Sequence, residues 1–148
     1  MSGDPLQRFE REHEEALAAL VALERAAEGL RGPGDMATHF AAAREAHAFL
    51  VGPVKTHNEN EELALFPELD DEAPTALFEE EHLALWRLEA ELERALQLAD
   101  AGRVAAAGLE IVDLLRAHIA RENEVLFPMA RELLGPEGLA RVARRLEE

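Results

Sequence analysis

The sequence predicts an all-α protein, an up-down four-helix bundle closed by a short C-terminal helix. Three observations carry that expectation. Ala, Leu, Glu and Arg dominate the 148 residues, and all four favour helix. Tyr is absent, Ile and Thr are scarce, and no stretch alternates apolar and polar residues with period two, so no strand is expected. Helix breakers divide the chain into four long stretches with short connections, the pattern of an up-down bundle. A chain of this length with 48% hydrophobic residues suits one domain, 1–148, with the core bundle at about 5–134.

The first helix opens at Asp4-Pro5, an N-cap followed by proline at the first helical position, and ends near the Gly29–Gly34 cluster. Leu6, Phe9, Leu17, Leu20 and Leu23 lie along it at three-and-four spacing, which faces them to a core. The second runs from about Asp35 to Leu69. Gly52-Pro53 should kink it, and Pro67 should kink or end it, because proline removes a hydrogen bond and clashes with the preceding turn. The third begins around Pro74-Thr75 and is expected to stop at Gly102. The fourth runs from Arg103 to Leu134, carries Ile111, Leu115, Val125 and Met129 as its seam, meets Pro128 on the way, and stops at Gly135-Pro136. A short helix from about Glu137 to Arg145 completes the chain.

Charge and composition exclude several functions. With 31 Asp+Glu against 15 Lys+Arg the net charge is -16, which repels nucleic acid and anionic membrane surfaces. No cysteine is present, so disulfides, zinc–thiolate sites, iron–sulfur clusters and thiol catalysis are all ruled out. No apolar run approaches the roughly 18 residues of a membrane span, and the N-terminus has no basic-then-apolar signal pattern. A soluble cytoplasmic protein is expected.

The informative residues are polar ones on apolar seams. His13 lies four after Phe9 and four before Leu17, and His82 four after Phe78 and three before Leu85. His57 follows Val54 by three, Glu61 precedes Leu65 by four, His118 follows Leu115 by three, and Glu122 precedes Val125 by three. Six ionisable groups thus point inward with no basic partner on the seams. An unpaired buried carboxylate costs several kcal/mol, and a bound cation removes that conflict while using neutral imidazole as a donor.

The spacing repeats. His57-Asn-Glu-Asn-Glu61-Glu-Leu-Ala-Leu65-Phe66-Pro67 aligns without gaps on His118-Ile-Ala-Arg-Glu122-Asn-Glu-Val-Leu126-Phe127-Pro128. Phe9-Glu-Arg-Glu-His13 likewise echoes Phe78-Glu-Glu-Glu-His82. His and Glu four apart share one helix face, about 6 Å apart along the axis. Two such helix pairs related by a pseudo-twofold axis would set two metals side by side, with the carboxylates at the level to bridge them. Four His and two Glu give each metal about four protein donors and leave positions open. Mixed nitrogen and oxygen donors without sulfur suit iron, and manganese or zinc less exclusively.

The pattern His13, His57-x-x-x-Glu61, His82, His118-x-x-x-Glu122, with Leu-Phe-Pro after both pairs, resembles the hemerythrin-like (HHE cation-binding) domain over about residues 5–134. The resemblance implies a hemerythrin-like bundle around a non-haem di-iron centre, two iron ions bridged by both glutamates and by an oxo or hydroxo group. It also implies a small ligand, dioxygen, nitric oxide or peroxide. Oxygen-carrying members have a second histidine four after the one on the third helix, and here that position is Trp86. The chain is therefore similar to the four-histidine, two-glutamate branch, with metals more open than in oxygen carriers. Repair proteins of that branch usually carry a cysteine-containing segment, which this chain lacks.

The expectation is a di-iron protein that binds and reacts with a small diatomic or peroxide, with decomposition of peroxide or nitric oxide as the enzymatic form. An iron-sensing or iron-storage module, a zinc or manganese hydrolase, and a metal-free interaction bundle are the alternatives. His39 and His47 are expected to be ordinary helix residues. Glu59, Glu62, Asn58 and Asn123 adjoin the six but are expected to point elsewhere. A hydrogen bond from a ligand's outer nitrogen to Glu62 is the less ordinary reading of that acid. Glu79–Glu81 reads as a solvated helix start, Phe66 and Phe127 as core plugs below the site, and Trp86 as either a pocket wall or ordinary core.

Overall fold

The computed structural model describes residues 4–69 and 73–147, and among these every regular element is helical. Helix α1 is Pro5–Arg31, capped by the Asp4 carboxylate, which accepts from the Leu6 N–H. Helix α2 is Met36–Phe49, capped in the same way by Asp35 on Thr38. It runs without interruption through a π-helical turn at Leu50–Val54, α3 (Lys55–Asn60), a second π turn at Glu61–Leu65 and α4 (Phe66–Leu69). Helix α5 is Thr75–Gln97, and α6 is Ala101–Arg121. A third π turn, Glu122–Leu126, leads into α7, Phe127–Glu147. α1 packs against α2 and α6, and α5 packs against α6, closing the four-helix bundle.

The third long helix does not reach Gly102. It ends at Gln97, Ala99 turns the chain at φ 49°, and Asp100 caps α6 through the Arg103 N–H, so Gly102 lies inside the next helix. Gly135, at φ 61°, breaks α7 as its sequence context predicts, and the segment beyond it folds back to bury Val142.

The prolines are absorbed by wide turns rather than sharp kinks. Phe66 N–H donates to the Glu61 carbonyl and Phe127 N–H to the Glu122 carbonyl, five residues back in each case. Pro67 and Pro128 come immediately after, where a missing N–H and a bulky ring are least costly. Pro53 sits inside its own π turn, and the flanking residues keep helical dihedrals. Each π turn adds about one residue, which rotates the downstream side chains by roughly 100°. For this reason the expected seam position Val125 is 50% exposed and Leu126 takes its place in the core. Met129 likewise falls to the margin while Ala130 is buried.

Two apolar layers result. One holds Leu20, Leu23, Leu50, Leu92, Ile111 and Leu115, and the other Leu6, Phe9, Phe66, Phe78, Leu126 and Phe127. The polar residues singled out in the sequence lie between them. Among the described residues no helix is long and apolar enough to cross a membrane.

Candidate metal centre

His13 comes from α1, His57 from α3, His82 from α5 and His118 from α6, while Glu61 and Glu122 each open a π turn. All six are buried, both glutamates completely. One ligand atom from each of His13, His57, Glu61 and Glu122 lies within 4.8 Å of the others, and so do atoms of Glu61, His82, His118 and Glu122. The two groups share both carboxylates. All six expected residues therefore meet, in two quartets related as the repeat predicts.

The inner contacts run from imidazole Nε2 to carboxylate. His13 lies 2.9 Å from Glu122 Oε1, His57 3.1 Å from Glu61 Oε2, His82 3.2 Å from Glu61 Oε1, and His118 3.4 Å from Glu122 Oε2. On the far side of each ring, Nδ1 meets an oxygen. His57 faces Glu12 at 2.8 Å, His118 faces Glu81 at 2.9 Å, His82 faces Glu62 at 2.6 Å, and His13 faces Asn123 Oδ1 at 2.7 Å. These oxygens accept, so Nδ1 carries the proton and donates, leaving the Nε2 lone pair directed inward.

These contacts correct three expectations. Glu62 and Asn123 do not point elsewhere, Glu81 is not simply a solvated helix start, and each orients a histidine. Glu12 was not singled out in the sequence at all. The signal was present in the repeat. Glu12 and Glu81 each precede a seam histidine, and Glu62 and Asn123 each come one residue after a seam glutamate. Arg8 contacts Glu12 at 3.4 Å, and Arg121 pairs with Glu81. Burial alone would raise the Glu12 carboxyl, but His57 and Arg8 outweigh it and hold the group below the usual carboxylate range.

The phenylalanines also obey the pseudo-twofold. Phe127 stacks on His13 and Phe66 on His82, both at 12° between planes, and Phe9 and Phe78 meet His57 and His118 edge-on at 75° and 72°. The rings are thus fixed from below by aromatic faces and from outside by hydrogen bonds.

Among the described residues, four of the six buried side-chain polar atoms left unsatisfied face the centre, and the other two are on Glu89 and Arg121. Glu61 Oε1, His82 Nε2, His118 Nε2 and Glu122 Oε2 are buried without hydrogen-bond partners. Burial and the Glu122 charge push the Glu61 carboxyl well above its ordinary range. Burial would raise Glu122 as well, but with no cation present a proton on Nε2 of His118 or His13 outweighs it and holds that carboxyl low. Inner atoms converging from four rings and two carboxylates, with two ring nitrogens and two carboxylate oxygens orphaned, fit a divalent cation, which accepts electron pairs and offsets negative charge.

A cavity of about 310 Å³ reaches His13, His57 and His118, and its wall includes Ala16, Phe49, Val54, Leu115 and Ile119. One liquid water occupies about 30 Å³, so a diatomic or peroxide fits with room to spare. Trp86 is neither core nor a wall of that cavity. At 57% exposure it lies over Lys55 Nζ, beside a smaller recess that His82, Glu62 and Glu89 also line. The inward seam of α5 continues through Leu85, Glu89 and Leu92 instead. Glu89 is a buried acid missed in the sequence, although it sits four after Leu85 and three before Leu92, by the rule that found the others. Burial pushes its carboxyl up to about 7. His47 contacts the Glu89 carbonyl through Nε2 at 3.1 Å, and the His39 ring fills the space beside Gly29. Neither belongs to the centre.

The family model described as Hemerythrin HHE cation binding domain matches residues 4–130. No curated protein and no solved structure is similar enough to match. The buried His/Glu cluster and the family match together mark a metal-binding protein.

Proposed function

The chain belongs to the hemerythrin HHE cation-binding domain family, and from that premise we propose that it is a non-haem di-iron protein that binds and reacts with dioxygen, nitric oxide or peroxide. His13 and His57 would hold one iron, His82 and His118 the other, and Glu61 and Glu122 would bridge them. The observation that carries this reading is the set of buried atoms facing inward, all of them lone-pair donors when Nδ1 of every ring keeps its proton and donates a hydrogen bond to an outer oxygen. Nitrogen and oxygen donors without sulfur favour iron over soft-metal chemistry.

Bound iron would supply a redox-active Lewis acid with open coordination positions. The chain's own residues do the rest. Glu12, Glu62, Glu81 and Asn123 fix the tautomer and ring angle of the histidines, which raises their basicity. Ala16, Phe49, Val54, Leu115 and Ile119 line the approach with apolar surface, admitting a small neutral molecule and disfavouring hydrated ions. Anaerobic purification and loading with ferrous iron, then optical spectra on adding oxygen, nitric oxide or peroxide in turn, tests the proposal. A new visible charge-transfer band with at least one of the three is expected. A protein that takes up zinc or manganese but not iron, or whose iron form stays spectrally inert to all three, would overturn it.

A further inference from the structure

The inner donors of the two quartets are matched, with two imidazoles each and both carboxylates shared. The outer partners are not. His57 donates to Glu12, His82 to Glu62 and His118 to Glu81, all carboxylates, whereas His13 donates to the amide oxygen of Asn123 at 2.7 Å. Asn123 and Glu62 are equivalent positions of the repeat, each one residue beyond a shared glutamate, so this single difference breaks the pseudo-twofold.

The surrounding cations deepen the imbalance. Glu12 has Arg8 within 3.4 Å and Glu81 has Arg121, which offset one carboxylate on each side. Glu62 makes no ion pair with Lys or Arg among the described residues, and its closest ionic contact is the 2.6 Å one to His82. The His82–His118 position therefore carries one more unneutralised negative charge than the His13–His57 position. A carboxylate accepting from the outer N–H makes imidazole a stronger electron-pair donor than an amide oxygen does, and such partners typically change metal affinity by roughly 10–100-fold.

We propose that the two metal positions are unequal, with the His82–His118 position filling first and holding its cation about 10–100-fold more tightly, because Glu62 supports one half and Asn123 the other. This rests on the metal-binding reading above and adds an order of loading to it. The inequality gives the centre a retained metal and an exchangeable one, although its directly contacting side chains are symmetric.

Titration of the metal-free chain with cobalt(II), followed by calorimetry and by the visible absorption of the bound ion, tests it. Two resolved steps are expected. Asn123→Asp should tighten the weaker step and draw the two together. Glu62→Gln should weaken the tighter step by about tenfold or more. His82→Ala should abolish the tight step, while His13→Ala should abolish the weak one. Circular dichroism and Glu62→Gln, the milder change, keep the outcome readable if a histidine variant folds poorly. Two steps of equal affinity in the natural chain, a gap unmoved by both Asn123→Asp and Glu62→Gln, or loss of the tight step in His13→Ala would overturn the inference and leave metal binding standing. Failure to bind cobalt at all would remove the metal-binding reading itself.

Discussion

Glu61→Gln separates what the centre costs the fold from what it does. Glu61 is fully buried, its Oε1 has no hydrogen-bond partner, and it shares each quartet with Glu122, so their facing oxygens lie within 4.8 Å. Two unit charges at that distance repel by about 3.5 kcal/mol at an effective dielectric constant of 20. In the metal-free protein part of that strain is relieved by a proton on Glu61, whose carboxyl is raised by burial and by the Glu122 charge. Glutamine mimics the protonated acid without the cost of acquiring the proton. The variant should therefore be more stable than the natural chain when both lack metal, by about 1–3 kcal/mol, or roughly 2–12 °C in Tm. It should also lose most of the stabilisation that added metal gives the natural chain. Differential scanning calorimetry with chelator and with saturating ferrous iron under argon measures both quantities. A metal-free Glu61→Gln protein that melts below the natural chain would show that the ionised carboxylate supports a metal-free core, and the reasoning would fail.

Three further outcomes are expected. Ala16→Leu, which projects into the cavity beside His13 and His57, should leave metal content unchanged and slow nitric oxide association by about tenfold or more, read by stopped-flow absorption. Glu89→Gln should be nearly neutral at pH 4.5 and stabilising by up to about 3 kcal/mol above pH 7, at roughly 1.4 kcal/mol per pH unit. The sign comes from a folded-state carboxyl that keeps its proton to about 7 while the unfolded chain releases it near 4.5, so the native penalty grows between those values; urea titrations across pH check it. Ala99→Gly should raise stability by about 0.5–1 kcal/mol, because Ala99 holds a left-handed φ of 49° that glycine adopts without strain; thermal melts check it.

The bundle and the six converging residues were legible because both rest on periodicity. A polar group at three-and-four spacing among Leu and Phe must point inward, and the gapless repeat forces two such groups to meet. Glu89 obeys the same spacing, but it has no counterpart of the His-x-x-x-Glu kind to mark it. The outer oxygens were harder to read, since they lie beside the seam residues and bond to histidines on other helices. Glu12 meets His57 from 45 positions away and Asn123 meets His13 from 110, so only the assembled bundle pairs them. The exposure of Val125 escaped an α-helical count because the π turn at Glu122–Leu126 shifts the register by one residue. The Leu-Phe-Pro repeat marks where those turns occur, and it shows why the prolines did not end their helices.

The proposed function calls for two cations among the inward lone pairs of four imidazoles and two carboxylates. Counting metal per chain by mass spectrometry under native conditions, on protein loaded anaerobically with ferrous iron, tests this most directly. The natural chain should carry two ions, and His118→Ala or Glu122→Ala should carry at most one. A natural chain that carries none, or variants that both retain two, would contradict it.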